Sequence, residues 1–416
     1  MVHRLGVIAT HASPLAPLGK GHNGGMNTYV AETMRALAHL GVEVHAFTHG
    51  EEEGVTELAK GAYVHALPVP SKTATIEELA QSTEEFARAI RAQGVKVDAW
   101  WSHYWIGGLA ALHLQKQDKA KWAHSAHTLQ KVKRLGFETQ ELEGREEAEE
   151  EIVRQADQLV ANTPVEQEQL VELYGASKAK VVLAWPGVSE DWGRHWRLRE
   201  RGGPVRVLYV GRLEPLKGPD IAISAFAASG LAKTGGKLWM VGGSHNGYER
   251  ELAALAKKLG VKTAVEFKGA LSSQQEMLAV YAQADCLLLT SRSESFGLVA
   301  LEAQASGCVV VASDVGGLPY AVADHASGLL VKVGDVAGFA AALNSLWSEP
   351  GLLEKLSKGA PVQAGKFTWE ACVQAVLKGL GEKEPPKSTK STKSTKSTKS
   401  TKSTKSTKAP KAARRR

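Results

Sequence analysis

Short apolar runs of β type alternate with helical stretches along the first 382 residues, and that rhythm restricts the fold more tightly than any other feature. In the first half the runs fall at 4–10, 43–48, 62–69, 97–104, 122–128, 158–163 and 181–185, with amphipathic stretches such as 29–40 and 76–92 between them. In the second half they fall at 205–210, 237–242, 265–269, 286–290, 309–313 and 328–333. Strands that read as near-continuous apolar runs are buried on both faces, so this alternation predicts parallel sheets covered by helices on either side. Two such sets, parted by a polar segment at 189–203, predict an α/β chain of two doubly wound, Rossmann-like domains, 1–188 and 204–366, with 189–203 as the linker. Residues 367–382 read as one more helix, ended near Gly381. The Lys-Ser-Thr repeats and terminal arginines of 383–416 offer too little apolar surface to build a core, and a disordered tail is expected there.

The net charge of +7 belongs to that tail. Thirteen of the 51 Lys and Arg but one of the 44 acids lie in 383–416, which leaves the body with 38 basic and 43 acidic residues. A mildly acidic body disfavours nucleic-acid binding by the folded part. Three cysteines, Cys286, Cys308 and Cys372, have no CxxC spacing and no His-rich neighbourhood, so neither a disulfide framework nor a structural zinc site is expected. They read as small buried hydrophobes. No stretch reaches the roughly 18 apolar residues of a membrane span, and the apolar run at the start is too short for a signal peptide. A soluble cytoplasmic protein is expected, with a tail able to touch an anionic membrane or nucleic acid non-specifically.

Three motifs carry chemistry. Gly19-Lys20-Gly21-His22-Asn23-Gly24 matches the dinucleotide fingerprint in letters only: eight residues separate it from the first strand, and the second run ends in Phe47-Thr48-His49-Gly50 without a carboxylate. As a glycine loop leading into a helix it either lets backbone N–H groups approach a phosphate or sugar, or is a plain turn. Ser293 to Glu302 places Glu294 and Glu302 eight residues apart across a helix start that follows the strand at 286–290. N–H groups around Phe296, Gly297, Leu298 and Val299 suit a diphosphate, Glu302 a ribose diol, and Glu294 the hydroxyls of a second sugar, unless Glu294 only favours the helix dipole. Arg212 and Lys217, five residues apart in Gly211–Gly218 after the first strand of the second set, can clamp a diphosphate. With no Asp-x-Asp in the chain, these two cations take the part a metal would play.

Gly24-Gly25-Met26-Asn27, Ser102-His103-Tyr104-Trp105, His127-Thr128, Asn162-Thr163, Pro186-Gly187-Val188, the 211–218 loop and the 293–307 segment occur in the order seen in the retaining glycosyltransferases of family 4. Over residues 1–380 the chain resembles that family, its inositol-phosphate branch most and its sucrose-phosphate branch more distantly. The resemblance implies a GT-B fold, two Rossmann-like domains facing across a cleft, with acceptor bound in the first and donor in the second. It implies Arg212 and Lys217 as diphosphate clamp, Glu302 on the ribose, Glu294 on the donor sugar, Gly25 against the phosphate through its backbone, and Asn27 as an acceptor or phosphate contact. His127 resembles the histidine lining the donor sugar, in a positioning and charge-stabilising part; a buried structural histidine is the plain alternative. Tyr104, Thr128 and Arg145 resemble groups that grip an acceptor phosphate, although Arg145 also stands four residues before Glu149, where a helical salt bridge is the ordinary reading.

One departure bears on the acceptor. Where the inositol-phosphate branch has a lysine before Glu-Glu-Leu, this chain has Ile76 before Glu77-Glu78-Leu79, with Lys72 as the nearest substitute. The expected activity is a metal-independent, retaining transfer from a UDP-sugar to a small, phosphorylated polyol or sugar, with no cofactor beyond the donor, itself a substrate. Three rivals make different predictions: a transferase to an uncharged sugar or lipid, an epimerase or hydrolase turning over donor without acceptor product, and a non-enzymatic polyanion binder working through its tail.

Overall fold

The computed structural model describes residues 2–16, 24–70, 74–136, 142–194, 196, 198, 204–244, 247–271 and 273–381. The glycine loop at 19–23, Lys72, most of the 195–203 stretch of the linker and the tail at 383–416 lie outside them.

Among the described residues the strands form two sheets. The first holds β1 (Arg4–Ile8), β2 (Glu43–His49), β3 (Gly54–Ala59), β4 (Ala62–Leu67), β5 (Ala99–His103), β6 (Lys121–Ser125), β7 (Gln158–Ala161) and β8 (Val181–Leu183), in the order β3-β4-β2-β1-β5-β6-β7-β8. The second holds β9 (Arg206–Val210), β10 (Lys237–Val241), β11 (Val265–Gly269), β12 (Cys286–Leu289), β13 (Val309–Ser313) and β14 (Gly328–Val331), in the order β11-β10-β9-β12-β13-β14. Every pairing is parallel except β3 with β4. Central strands such as β7, β12 and β13 are buried at every position, as their unbroken apolar runs require. In each sheet the strand order reverses beside the first strand of the set, between β1 and β5 and between β9 and β12. Loops leaving the carboxyl ends of those strands line the crevice where doubly wound sheets take ligands.

β3 has no counterpart among the expected runs. It is a mostly exposed edge strand, GVTELA, that returns against β4 through Lys60-Gly61, and its apolar residues form no continuous run. The expected single helix at 76–92 is two, Ile76–Gln81 and Thr83–Ala92. At the break the Thr83 hydroxyl donates to the Ala80 carbonyl, and Thr75 and Glu78 box the first turn of the earlier piece. The last helix, Trp369–Gly379, is capped by Thr368 and packs into the first sheet's core, where Trp369, Cys372 and Val376 cluster with Leu5, Tyr29 and Met34. All three cysteines are buried and free. No helix among the described residues is long and apolar enough to cross a membrane.

Candidate active site

A cavity of about 490 Å³ opens where the two switch points face each other. Its lining joins Gly25, Asn27, Tyr104, His127 and Thr128 from the first sheet's loops to Arg212, Lys217, Glu294, Phe296, Gly297, Leu298, Val299 and Glu302 from the second's. Residues more than 200 positions apart in sequence are thus in one wall.

The second-sheet wall is braced before it is charged. Gly211 leaves β9 with φ 158°, and the buried Tyr209 hydroxyl donates to the carbonyls of Arg212 and Lys217, pinning the loop at both cations. Gly218 adopts φ 65° against the Thr290 backbone, whose hydroxyl donates to its carbonyl at 2.6 Å; a side chain at 218 would collide there. Arg292 holds the same loop through its backbone amide, which donates to the Leu216 carbonyl at 2.9 Å, and its guanidinium pairs two-pronged with Asp220 on the following helix, at 2.9 and 2.6 Å. Lys217 Nζ lies 2.7 Å from Glu294 Oε2, so Glu294, expected on the donor sugar with a helix-dipole acid as the plain alternative, is an ion-pair partner here. Arg212 pairs with Glu214 at 3.0 Å and keeps 43% of its side chain exposed. Gly297 (φ 96°) caps the helix Leu298–Ala305, whose first ladder bond is Ala300 N–H to the Gly297 carbonyl. The amides of Leu298 and Val299 precede that ladder and have no partner within the helix. Glu302, on the same helix, accepts from the Tyr281 hydroxyl at 3.2 Å, and burial pushes its carboxyl up to about 7.

On the first-sheet side, Gly25 opens the helix Gly25–His39 close to Leu298 of the opposite wall. Asn27 is buried, and its side chain accepts from the Gly24 amide and donates to the Ser13 carbonyl, so it shapes the loop that the sequence paired with an acceptor contact. Tyr104 and His127 both sit at positive φ, 64° and 59°. His127 lies past the end of β6, two residues beyond Ser125, although the apolar run at 122–128 predicts it within the strand. Burial, with His11 nearby, drives its imidazole down to about 3, so it is neutral at physiological pH.

Arg145 makes the helical salt bridge and also reaches Tyr104 and Thr128. Its Nε donates to Glu149 at 2.7 Å, each side chain only 3% exposed, while Nη1 reaches the Tyr104 hydroxyl and Nη2 the Thr128 carbonyl and hydroxyl, at 3.0–3.1 Å. The pair is therefore internal to the protein, and it converges with Tyr104 and Thr128.

Sequence reasoning missed Lys133. This half-buried lysine on the helix Gln130–Gly136 lines the cavity, has no side-chain partner among the described residues, and is brought down to about 8 by burial and by the Arg145 charge. Lys131, two positions earlier, turns away to Glu150 and the Leu173 carbonyl, and no signal in the sequence separates the two. His11, packed 4.6 Å from the Tyr104 ring, was missed as well, and Ile76 puts an apolar side chain in the same wall.

Comparison with known proteins followed the same division. A family model described as glycosyl transferase 4-like domain matches residues 24–187, and one described as glycosyl transferases group 1 matches 190–363. D-inositol 3-phosphate glycosyltransferase of Actinosynnema mirum is 39% identical over 91% of this chain and 97% of its own length. The protein of that name from Acidothermus cellulolyticus is 38% identical over 90% and 89%. Among solved structures, sucrose-phosphate synthase from Thermosynechococcus elongatus superposes with a TM-score of 0.79 at 29% identity, covering 91% of this chain and 97% of that one.

Proposed function

We propose that this chain, which belongs to the GT-B glycosyltransferases of family 4, moves a hexosyl group from a UDP-sugar to a phosphorylated polyol, inositol 3-phosphate in the first instance. The observation that carries the acceptor half is Lys133 beside the Arg145–Tyr104–Thr128 cluster. Lys133 has no side-chain hydrogen bond or ion pair among the described residues, and burial with the nearby Arg145 charge outweighs the pull of Glu149 and Glu214 on its ammonium, so an anion arriving here stabilises the charged form. A phosphate monoester supplies two charges and the acceptor oxygens for charge-assisted bonds. Ile76 removes a cation from this wall, and Lys133 leaves one in place. The curated relatives named above act, by their names, on D-inositol 3-phosphate.

The donor lies along the other wall. Its diphosphate meets Arg212, Lys217 and the amides before Ala300; its ribose diol donates to Glu302; its sugar hydroxyls meet Glu294. As the bond from the anomeric carbon to the diphosphate oxygen breaks, charge grows on that oxygen, and preorganised donors there act without reorganising. Lys217 is held by Glu294 before the donor arrives, so the ammonium needs no search for its position. The acceptor hydroxyl attacks from the face the diphosphate leaves, its proton passing to the departing oxygen, and the configuration is retained. A neutral His127 with so low a pKa lines this path without acting as its base.

Incubation with UDP-hexoses and D-inositol 3-phosphate, read by product mass, tests the reaction class. The expected product is the acceptor plus one hexosyl unit with its phosphate kept. UDP release or sugar isomerisation with no glycosylated product would instead establish a hydrolase or epimerase.

A further inference from the structure

His127 keeps a left-handed backbone that a non-glycine residue holds only when its surroundings hold it. Two contacts do so, and they come from different domains. The first is to the ring: His127 Nε2 lies 2.9 Å from His103 Nδ1. His103 ends β5, is fully buried between the Trp101 and Tyr29 rings, and its other nitrogen has no hydrogen-bond partner among the described residues. A buried imidazole whose side chain makes one polar contact is a costly way to fill a core, and an apolar residue would fill it without that cost. The second contact is to the backbone: Ser295 Oγ donates to the His127 carbonyl at 2.8 Å. Ser295 is exposed, stands next to Glu294, and belongs to the second domain, 168 positions along the chain. No packing requires a hydroxyl there.

We infer that His103 and Ser295 are positioning residues for His127, one fixing its ring from inside the first domain and the other its carbonyl from across the cleft. His127 is then aligned only when the two domains meet, which couples its placement beside the donor sugar to closure. The inference rests on the placing of His127 along the donor path given above.

The test is steady-state kinetics on full-length Ser295→Ala, Ser295→Thr, His103→Leu, His103→Asn and His127→Ala. Loss of one such bond should lower kcat of Ser295→Ala about tenfold with both KM values nearly unchanged, and Thr, which keeps the hydroxyl, should restore it. His103→Asn keeps a hydrogen-bonding group and should outperform His103→Leu. Wild-type kcat in Ser295→Ala, a loss that Thr does not restore, or a loss confined to KM would overturn the inference, and the Ser295 pair decides it even if His103→Leu does not fold. If His127→Ala is impaired while Ser295→Ala is not, the inference alone fails. If His127→Ala turns over like the wild type, the reading of His127 itself fails.

Discussion

Replacing Lys217 by Ala takes a charge from two partners at once. The transition state loses one preorganised donor, so kcat should fall by roughly 10²–10³. Glu294, whose side chain is only 19% exposed, also loses its counter-ion, so a lower melting temperature should accompany the lost turnover. Wild-type turnover would remove Lys217 from the clamp. Glu302 poses the opposite balance. Its folded carboxyl is raised from 4.5 to about 7, so the stability it contributes is fully present below the unfolded value and is lost as pH rises through about 7. Glu302→Gln removes that loss: it should raise the melting temperature at about pH 8, do so much less near pH 5, and weaken donor binding throughout. Equal melting temperatures for the two proteins at the higher pH would contradict the desolvation of this carboxyl. Of these residues, the place of Glu302, Arg212 and Lys217 in the cavity wall was legible from the motif letters, because strand-end loops in a doubly wound fold have a fixed destination. The Lys217–Glu294 pair, 77 positions apart, and the inward turn of Lys133 rather than Lys131 were not legible, since both depend on which loop lands opposite.

At the scale of elements, the apolar runs disclosed every strand whose two faces are covered, and missed β3, whose residues meet solvent. The last helix was legible as a helix but not as part of the first domain. Its amphipathic pattern fixes which face is buried, and nothing local says against what. The structure supplies the partner: Gly187 lies so close to the Thr368–Trp369 backbone that a methyl group there would collide with it. Gly187→Ala should therefore cost about 1–3 kcal/mol through overpacking where the chain crosses between domains, measured by denaturant unfolding. An unchanged midpoint would mean that the last helix is not seated against residue 187.

For the whole molecule, residues 1–382 are one compact unit and the charge reversal falls at its end. A chain truncated after residue 382 should keep its kinetics toward small acceptors and lose salt-sensitive retention on an anionic matrix, because 13 of the positive charges leave with the tail. Loss of turnover on truncation would give the tail a part in catalysis. The proposed phosphate site in the first-domain wall can be probed most directly of all. Arg145 is a poor probe of it, since its removal strands the buried Glu149, whereas Lys133 can be changed without unpairing a carboxylate. The decisive quantity is the ratio of kcat/KM for D-inositol 3-phosphate over free inositol, in the wild type and in Lys133→Met. A ratio on the order of 10² or more that falls at least tenfold in Lys133→Met is predicted, as loss of one charge-assisted contact requires. Equal turnover of the phosphorylated and free acceptors by the wild type would contradict it.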